Sequence, residues 1–133
     1  HQVSIVIRII IAEDEQIVAK DIGRRLEKLG YRVIARLKTG QEVLEKAAEA
    51  ETDLVLMDVK LDGEMDGIET AEKLRELYDV RVIYLTAYAD KSTMNRIRKT
   101  DPYGYILKPY TIRDLQSNIE AAVREIESVR NKS

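Results

Sequence analysis

Short apolar runs alternate along this chain with longer stretches whose apolar residues recur every three or four positions. The runs Ile5–Ile11, Tyr31–Arg36, Asp53–Met57, Arg81–Leu85 and Tyr103–Leu107 are of strand length and rich in β-branched, Leu and Tyr residues. Between them the period changes to that of a helix. Glu15–Leu29 carries Val18, Ile22, Leu26 and Leu29 on one face, and Gly30 then serves as a C-terminal cap. Thr39 and Glu42 form a Thr-x-x-Glu capping box that opens a helix running to about Ala50. Ile68–Tyr78 aligns Ile68, Ala71, Leu74 and Leu77. Asp90–Lys99 is polar, with only Met94 and Ile97 as apolar anchors. Thr111–Arg130 is a long helix opened by a second box-like pair, Thr111 and Asp114.

Five strand–helix units in 133 residues predict an α/β fold: one doubly wound parallel sheet with helices on both faces. The nearly continuous apolar character of the strands agrees, because strands covered on both faces do not alternate. No linker or repeat divides the chain, so residues 1–133 read as a single domain with a core over about 4–130. His1–Val3 falls outside that core. It is expected to be a tag remnant or disordered, since the chain opens on His instead of Met.

Composition narrows the chemistry by exclusion. Without cysteine there can be no disulfide, zinc–thiolate site, iron–sulfur cluster or cysteine nucleophile. The sole histidine is His1, which leaves nothing to build a histidine-based triad or a multi-histidine metal site. Basic residues number 22 and acidic residues 24, so no overall charge draws the chain to nucleic acid or a membrane surface. Arg96, Arg98 and Lys99 read as a solvated face. The longest apolar run, Ile5–Ala12, is far shorter than the ~20 residues of a membrane span and is broken by Arg8. A cytoplasmic address is expected.

In open α/β sheets, ligands bind beyond the carboxyl ends of the strands. Glu13 and Asp14 follow the first run, Asp58 the third, Thr86 the fourth, and Lys108 with Pro109 the fifth. Three carboxylates, a hydroxyl and one ammonium are thereby predicted to meet on one rim. Two carboxylates 5 Å apart repel by about 3 kcal/mol at an effective dielectric near 20, and one lysine offsets a single charge. A small set of oxygen ligands suits Mg²⁺. A divalent ion beside a carboxylate, an ammonium and a hydroxyl is equipment for phosphoryl transfer.

The stretches AEDE (Glu13, Asp14), LVLMD (Asp58), MDGIE, YLTAY (Thr86) and GYILKP (Tyr105, Lys108, Pro109) resemble, in order and spacing, the receiver domains of two-component response regulators. The resemblance spans nearly the whole chain. It implies a flavodoxin-like sheet of order 2-1-3-4-5. It further implies that Asp58 is the phosphoacceptor. Asp14 and Asp58 would hold Mg²⁺ (or Mn²⁺) together with the Lys60 backbone carbonyl, and Glu13 mainly through water. Lys108, the Thr86 hydroxyl and the Ala87 N–H would meet the phosphoryl group. Tyr105 would be the aromatic switch coupled to Thr86, and the Lys108–Pro109 bond would be cis. Lys60 and Tyr88 match positions that tune phosphate lifetime. The implied donor is a histidine kinase or phosphotransfer protein, with a downstream effector or output domain. The chain departs from the family in Val59–Asp66, which is one residue longer than the common pattern and lacks its proline.

Each feature also has a plainer explanation. An acidic pair after a strand commonly caps the next helix, which Asp14 could do. An aspartate-nucleophile phosphatase would carry a second aspartate where Lys60 stands. A nucleotide-binding module needs a glycine-rich loop that the chain lacks. A receiver-like binder that is never phosphorylated would not need the full acidic set. The last helix carries Ile112, Leu115, Ile119, Ala122, Ile126 and Val129 in a heptad-like stripe. That stripe fits packing on the sheet, or an end that projects into a dimer, such as a homodimer formed on phosphorylation, or that continues into a signalling helix of a longer protein.

Overall fold

The computed structural model describes residues 6–131. The suggested tag remnant at His1–Val3, and Ile5 at the start of the first expected strand, lie outside the described residues. Five strands alternate with five helices: β1 (Arg8–Ala12), α1 (Gln16–Lys28), β2 (Arg32–Leu37), α2 (Gly40–Glu49), β3 (Leu54–Asp58), α3 (Gly67–Tyr78), β4 (Val82–Thr86), α4 (Lys91–Lys99), β5 (Gly104–Leu107) and α5 (Ile112–Asn131). All pairings are parallel and the sheet order is β2-β1-β3-β4-β5, the flavodoxin-like order expected.

The sheet separates two apolar layers. Ile9, Ile11, Leu54, Leu56, Ile83 and Leu85 point to one side, where Ile22 and Leu26 of α1 and Leu115, Ile119 and Ile126 of α5 cover them. Ile10, Val55, Met57, Val82 and Tyr84 point to the other, against Val43, Ile68, Leu74, Met94 and Ile97 of α2, α3 and α4. Each buried side chain of this size contributes about 1.5–3 kcal/mol. Covered on both faces, β3 and β4 are buried at every position. The edge strands β2 and β5 are only partly covered, so continuous burial holds for the central strands and not for the edges.

The helix ends follow the local signals. Thr39 Oγ1 accepts the Glu42 N–H at 3.1 Å while Glu42 Oε1 accepts the Thr39 N–H at 3.2 Å, the predicted box. Thr111 and Asp114 do the same for α5, at 3.1 and 3.0 Å. Gly30, at φ 93°, ends α1 as predicted, with its own N–H and that of Tyr31 returning to the Glu27 and Leu26 carbonyls.

Some expectations shift. Strand β1 starts at Arg8, because its ladder begins only where Arg8 faces Arg32 and Ile9 faces Leu54; Ile7 is buried but precedes it. Leu29 and Leu77, expected on apolar faces, are exposed at the last turns of α1 and α3. The α5 stripe is buried from Leu115 to Ile126, while Ile112 and Val129 at its two ends are exposed.

Candidate functional site at the carboxyl rim

The order β1-β3-β4-β5 sets the ends of four strands side by side, so residues far apart in sequence converge. Glu13 directly follows β1, Asp58 is the last residue of β3 and Thr86 the last of β4. Lys108 follows β5, and its N–H donates to the Thr86 carbonyl at 2.8 Å.

Carboxylate oxygens of Glu13, Asp14 and Asp58 lie within 4.8 Å of one another. Lys108 Nζ donates to Asp58 Oδ2 at 2.6 Å and lies 3.7 Å from Glu13 Oε1. The second Asp58 oxygen, Oδ1, accepts the Lys60 N–H at 3.0 Å. Both oxygens of Asp58 are therefore held, and the residue is only 5% exposed. Glu13 is 1% exposed, and its Oε2 is buried without a hydrogen-bond partner among the described residues. Buried carboxylate oxygens are rarely left so, because the desolvation is uncompensated.

The electrostatics express this surplus. Burial, then the Asp58 carboxylate beside it, push the Glu13 carboxyl up to about 8, while Lys108 pulls it down only in part. Burial alone would lower the Lys108 ammonium; its bond to Asp58 and the charges of Asp58 and Glu13 outweigh that and hold it above its ordinary value. An orphaned buried oxygen in an all-oxygen cluster fits a hard divalent cation. Neither acid is spent on capping α1. The N-cap is Glu15, without a side-chain bond, so the plainer explanation of Asp14 does not hold.

Of the other expected site residues, Thr86, Ala87, Tyr88 and Lys60 end or follow strands at this rim, whereas Tyr105 pairs with Tyr84 two residues before the end of β5. The Thr86 hydroxyl accepts the Tyr88 N–H at 2.9 Å, and Ala87 between them is exposed. Tyr105 is 45% exposed on the edge strand. Lys60 and Tyr88 are exposed beside the site, and the Lys108–Pro109 bond is cis. The unusual loop 59–66 pairs Asp62 with Thr39 in a parallel bridge, with Gly63 at φ 90°.

A family description, the response regulator receiver domain, matches residues 9–120. The chain belongs to this family. Among curated relatives, the receiver domain is similar to the transcriptional regulatory protein PdtaR of Mycobacterium tuberculosis: 34% identical over 122 residues, covering 92% of this chain and 59% of that protein. It is 39% identical over 121 residues to the uncharacterized transcriptional regulatory protein YkoG of Bacillus subtilis, covering 88% of this chain and 51% of the relative. The chain thus spans little more than half the length of these relatives. Among solved structures it resembles a CheY-like receiver domain protein of Methanospirillum hungatei. The TM-score is 0.85 at 31% identity, over 92% of this chain and 98% of that one. The signal receiver domain of a modulated diguanylate cyclase from Desulfovibrio desulfuricans gives 0.83 at 31%, over 92% and 97%.

Two contributors to the receiver's rim escaped the sequence. The Lys60 N–H on Asp58 follows from the turn after β3 and carries no side-chain signal. Gly67 had one, in the MDGIE stretch. A Cβ there would lie 2.0 Å from the Asp58 carbonyl oxygen, so only glycine lets α3 start this close to the end of β3.

Proposed function

We propose that this receiver domain takes a phosphoryl group onto Asp58 from the phosphohistidine of a kinase or phosphotransfer protein. A carboxylate oxygen of Asp58 attacks phosphorus. The P–N bond breaks with its electron pair returning to the imidazole ring, and an acyl phosphate results. Hydrolysis later releases inorganic phosphate and restores the carboxylate, so the only chemistry is on the domain's own aspartate. The surplus of carboxylates over ammonium, with Glu13 Oε2 unsatisfied, is the observation that supports this reading most.

Glu13, Asp14, Asp58 and the Lys60 carbonyl are the groups that would hold Mg²⁺ or Mn²⁺. When bound, the ion would offset negative charge on the carboxylates and on the phosphoryl oxygens. Lys108 is placed to keep one positive charge at Asp58 throughout. The Thr86 hydroxyl, now on the Tyr88 N–H, would turn to a phosphoryl oxygen, and Ala87 would add its N–H. Tyr105, now outward, would then move in to fill the space beside Thr86. One new charged group would thus bias a two-state surface.

Residues 1–133 would serve as one such domain in a cytoplasmic protein whose output lies elsewhere. Among the described residues no helix is long and apolar enough to cross a membrane. Pairing of modified copies belongs to the same proposal, and light scattering with and without beryllofluoride reads it.

Acetyl phosphate with Mg²⁺ is expected to label the protein, and Asp58→Asn to abolish the label. Undiminished labelling of that variant at another residue overturns the assignment.

A further inference from the structure

Helix α4 turns only Met94 and Ile97 into the core. Its C-terminal end is pinned from inside. The Tyr84 hydroxyl and Thr100 Oγ1 share a buried hydrogen bond at 2.6 Å, and Thr100 Oγ1 also donates to the Ile97 carbonyl at 2.7 Å. Across its outer side runs a second tie. Arg96 Nη2 donates to Asp66 Oδ2 at 2.9 Å, joining α4 to the first turn of α3.

Asp66 is a firm anchor for that guanidinium. Its other oxygen, Oδ1, accepts the Glu69 N–H at 2.8 Å, and its own N–H donates to Glu69 Oε1 at 3.0 Å. Its carbonyl accepts the Thr70 hydroxyl at 2.8 Å. The next residue, Gly67, is pressed against the carbonyl of Asp58, and its N–H donates to the Val59 carbonyl at 2.7 Å. Closely packed backbone transmits displacement instead of absorbing it. A shift in the main chain of Asp58 therefore carries the Asp66 carboxylate with it, and so moves the partner of Arg96.

We propose that the Asp66–Arg96 ion pair is a latch that holds α4 in its unmodified position and ties it to the main chain of Asp58, by a route separate from Thr86 and Tyr105. The inference rests on the phosphoacceptor reading of Asp58. The pair is made while Asp58 is free and weakens once a phosphoryl group is attached there. It thus opposes the modified arrangement by the difference in its strength between the two states. Both side chains are partly exposed, at 44% and 32%, which sets the leverage at a factor of about two to five.

The test uses the whole chain with Arg96→Gln, Asp66→Asn and the double variant. Asparagine still offers an oxygen to cap α3, so the start of that helix survives. Without any phosphate analogue, amide hydrogen exchange over residues 94–97 should quicken about two- to fivefold in each single variant and no further in the double. With Mg²⁺ and beryllofluoride as the probe, the apparent affinity should tighten by a similar factor, and Arg96→Lys should recover part of the difference. A purely structural contact would not tighten the probe when removed. Unchanged exchange in α4, or weaker beryllofluoride binding in the variants, overturns the latch alone. Failure of the unsubstituted chain to bind beryllofluoride overturns the phosphoacceptor reading, and with it the link to Asp58.

Discussion

Strand β3 carries a buried aspartate at each end, and the two are solved in opposite ways. Asp53, just before the strand, has a side chain 4% exposed on the floor of the sheet. Its Oδ2 accepts the Arg8 N–H at 2.7 Å and its Oδ1 meets the Arg130 guanidinium from the last turn of α5. That carboxylate is closed off with matched donors. Asp58, the last residue of the strand, also has both oxygens held, yet it sits with Glu13 and Asp14 around one lysine. The floor is balanced and the rim carries excess negative charge. Burial of an acid therefore does not mark a functional site by itself; an uncompensated acid does.

The widest separation between the two ends should appear in labelling. Asp58→Asn is expected to remove all incorporation from acetyl phosphate, whereas Asp53→Asn should label at the unsubstituted level. A phosphoryl assay with Mg²⁺ checks both, and loss of label in Asp53→Asn would erase the distinction.

The pH dependence of stability should separate them next. In the folded chain the Glu13 carboxyl titrates near 8, against an ordinary value of 4.5. The native state thus holds a proton that the unfolded chain releases. This contribution to stability is complete below about pH 4.5 and is lost as pH rises through 8. Thermal unfolding in EDTA should show the melting temperature falling across that window. Glu13→Gln should flatten the fall, and so should saturating Mg²⁺. A slope that survives both changes would place the excess charge elsewhere.

Much of this contrast was legible in advance, and only at one end. The rim could be read because its residues follow apolar runs, where α/β sheets expose strand ends. Glu13, Asp14, Asp58, Thr86 and Lys108 needed only the strand order to be placed together. Asp53 was read as the first residue of a strand and given no role, although aspartate is a poor strand residue. Its partner Arg130 is 77 residues away. No local pattern joins the two, since the contact exists only once α5 crosses the sheet. The cap of α3 was missed for a different reason. Asp66 and Glu69 form the Asp-x-x-Glu box, but the expected helix began at Ile68, inside the box, so its first turn went unread. The first strand was overextended because apolarity reports burial, whereas a strand also needs paired positions: Ile7 is buried and its carbonyl accepts the Arg32 N–H at 2.9 Å, but the paired register begins only at Arg8.

Stability at neutral pH gives a smaller effect of opposite sign at the two ends. Asp53→Asn removes a charge held by two donors and should cost about 2 kcal/mol, measured by urea unfolding. With Glu13 still holding its proton at this pH, Asp14 and Asp58 are the two acids left charged around Lys108. Asp58→Asn removes one of them, so in EDTA it should stabilise the fold, as substitutions at functional sites often do. If Asp58→Asn is instead the more destabilising of the two, Lys108 depends on Asp58 more than the rim depends on losing charge.

The smallest effect belongs to the other side of the floor contact. Arg130→Gln leaves Asp53 its bond from the Arg8 N–H, so the carboxylate is weakened without being orphaned. The guanidinium is 35% exposed and returns to water at little cost. About 1 kcal/mol of stability should be lost, less than for Asp53→Asn. Amide exchange should quicken over the last turn of α5 and remain unchanged in β3. Because Leu115, Ile119 and Ile126 still seat α5 on the sheet, the body of the helix should hold. A loss as large as that of Asp53→Asn would mean that the floor, like the rim, hangs on a single cation. The two ends would then differ only in how many acids surround it.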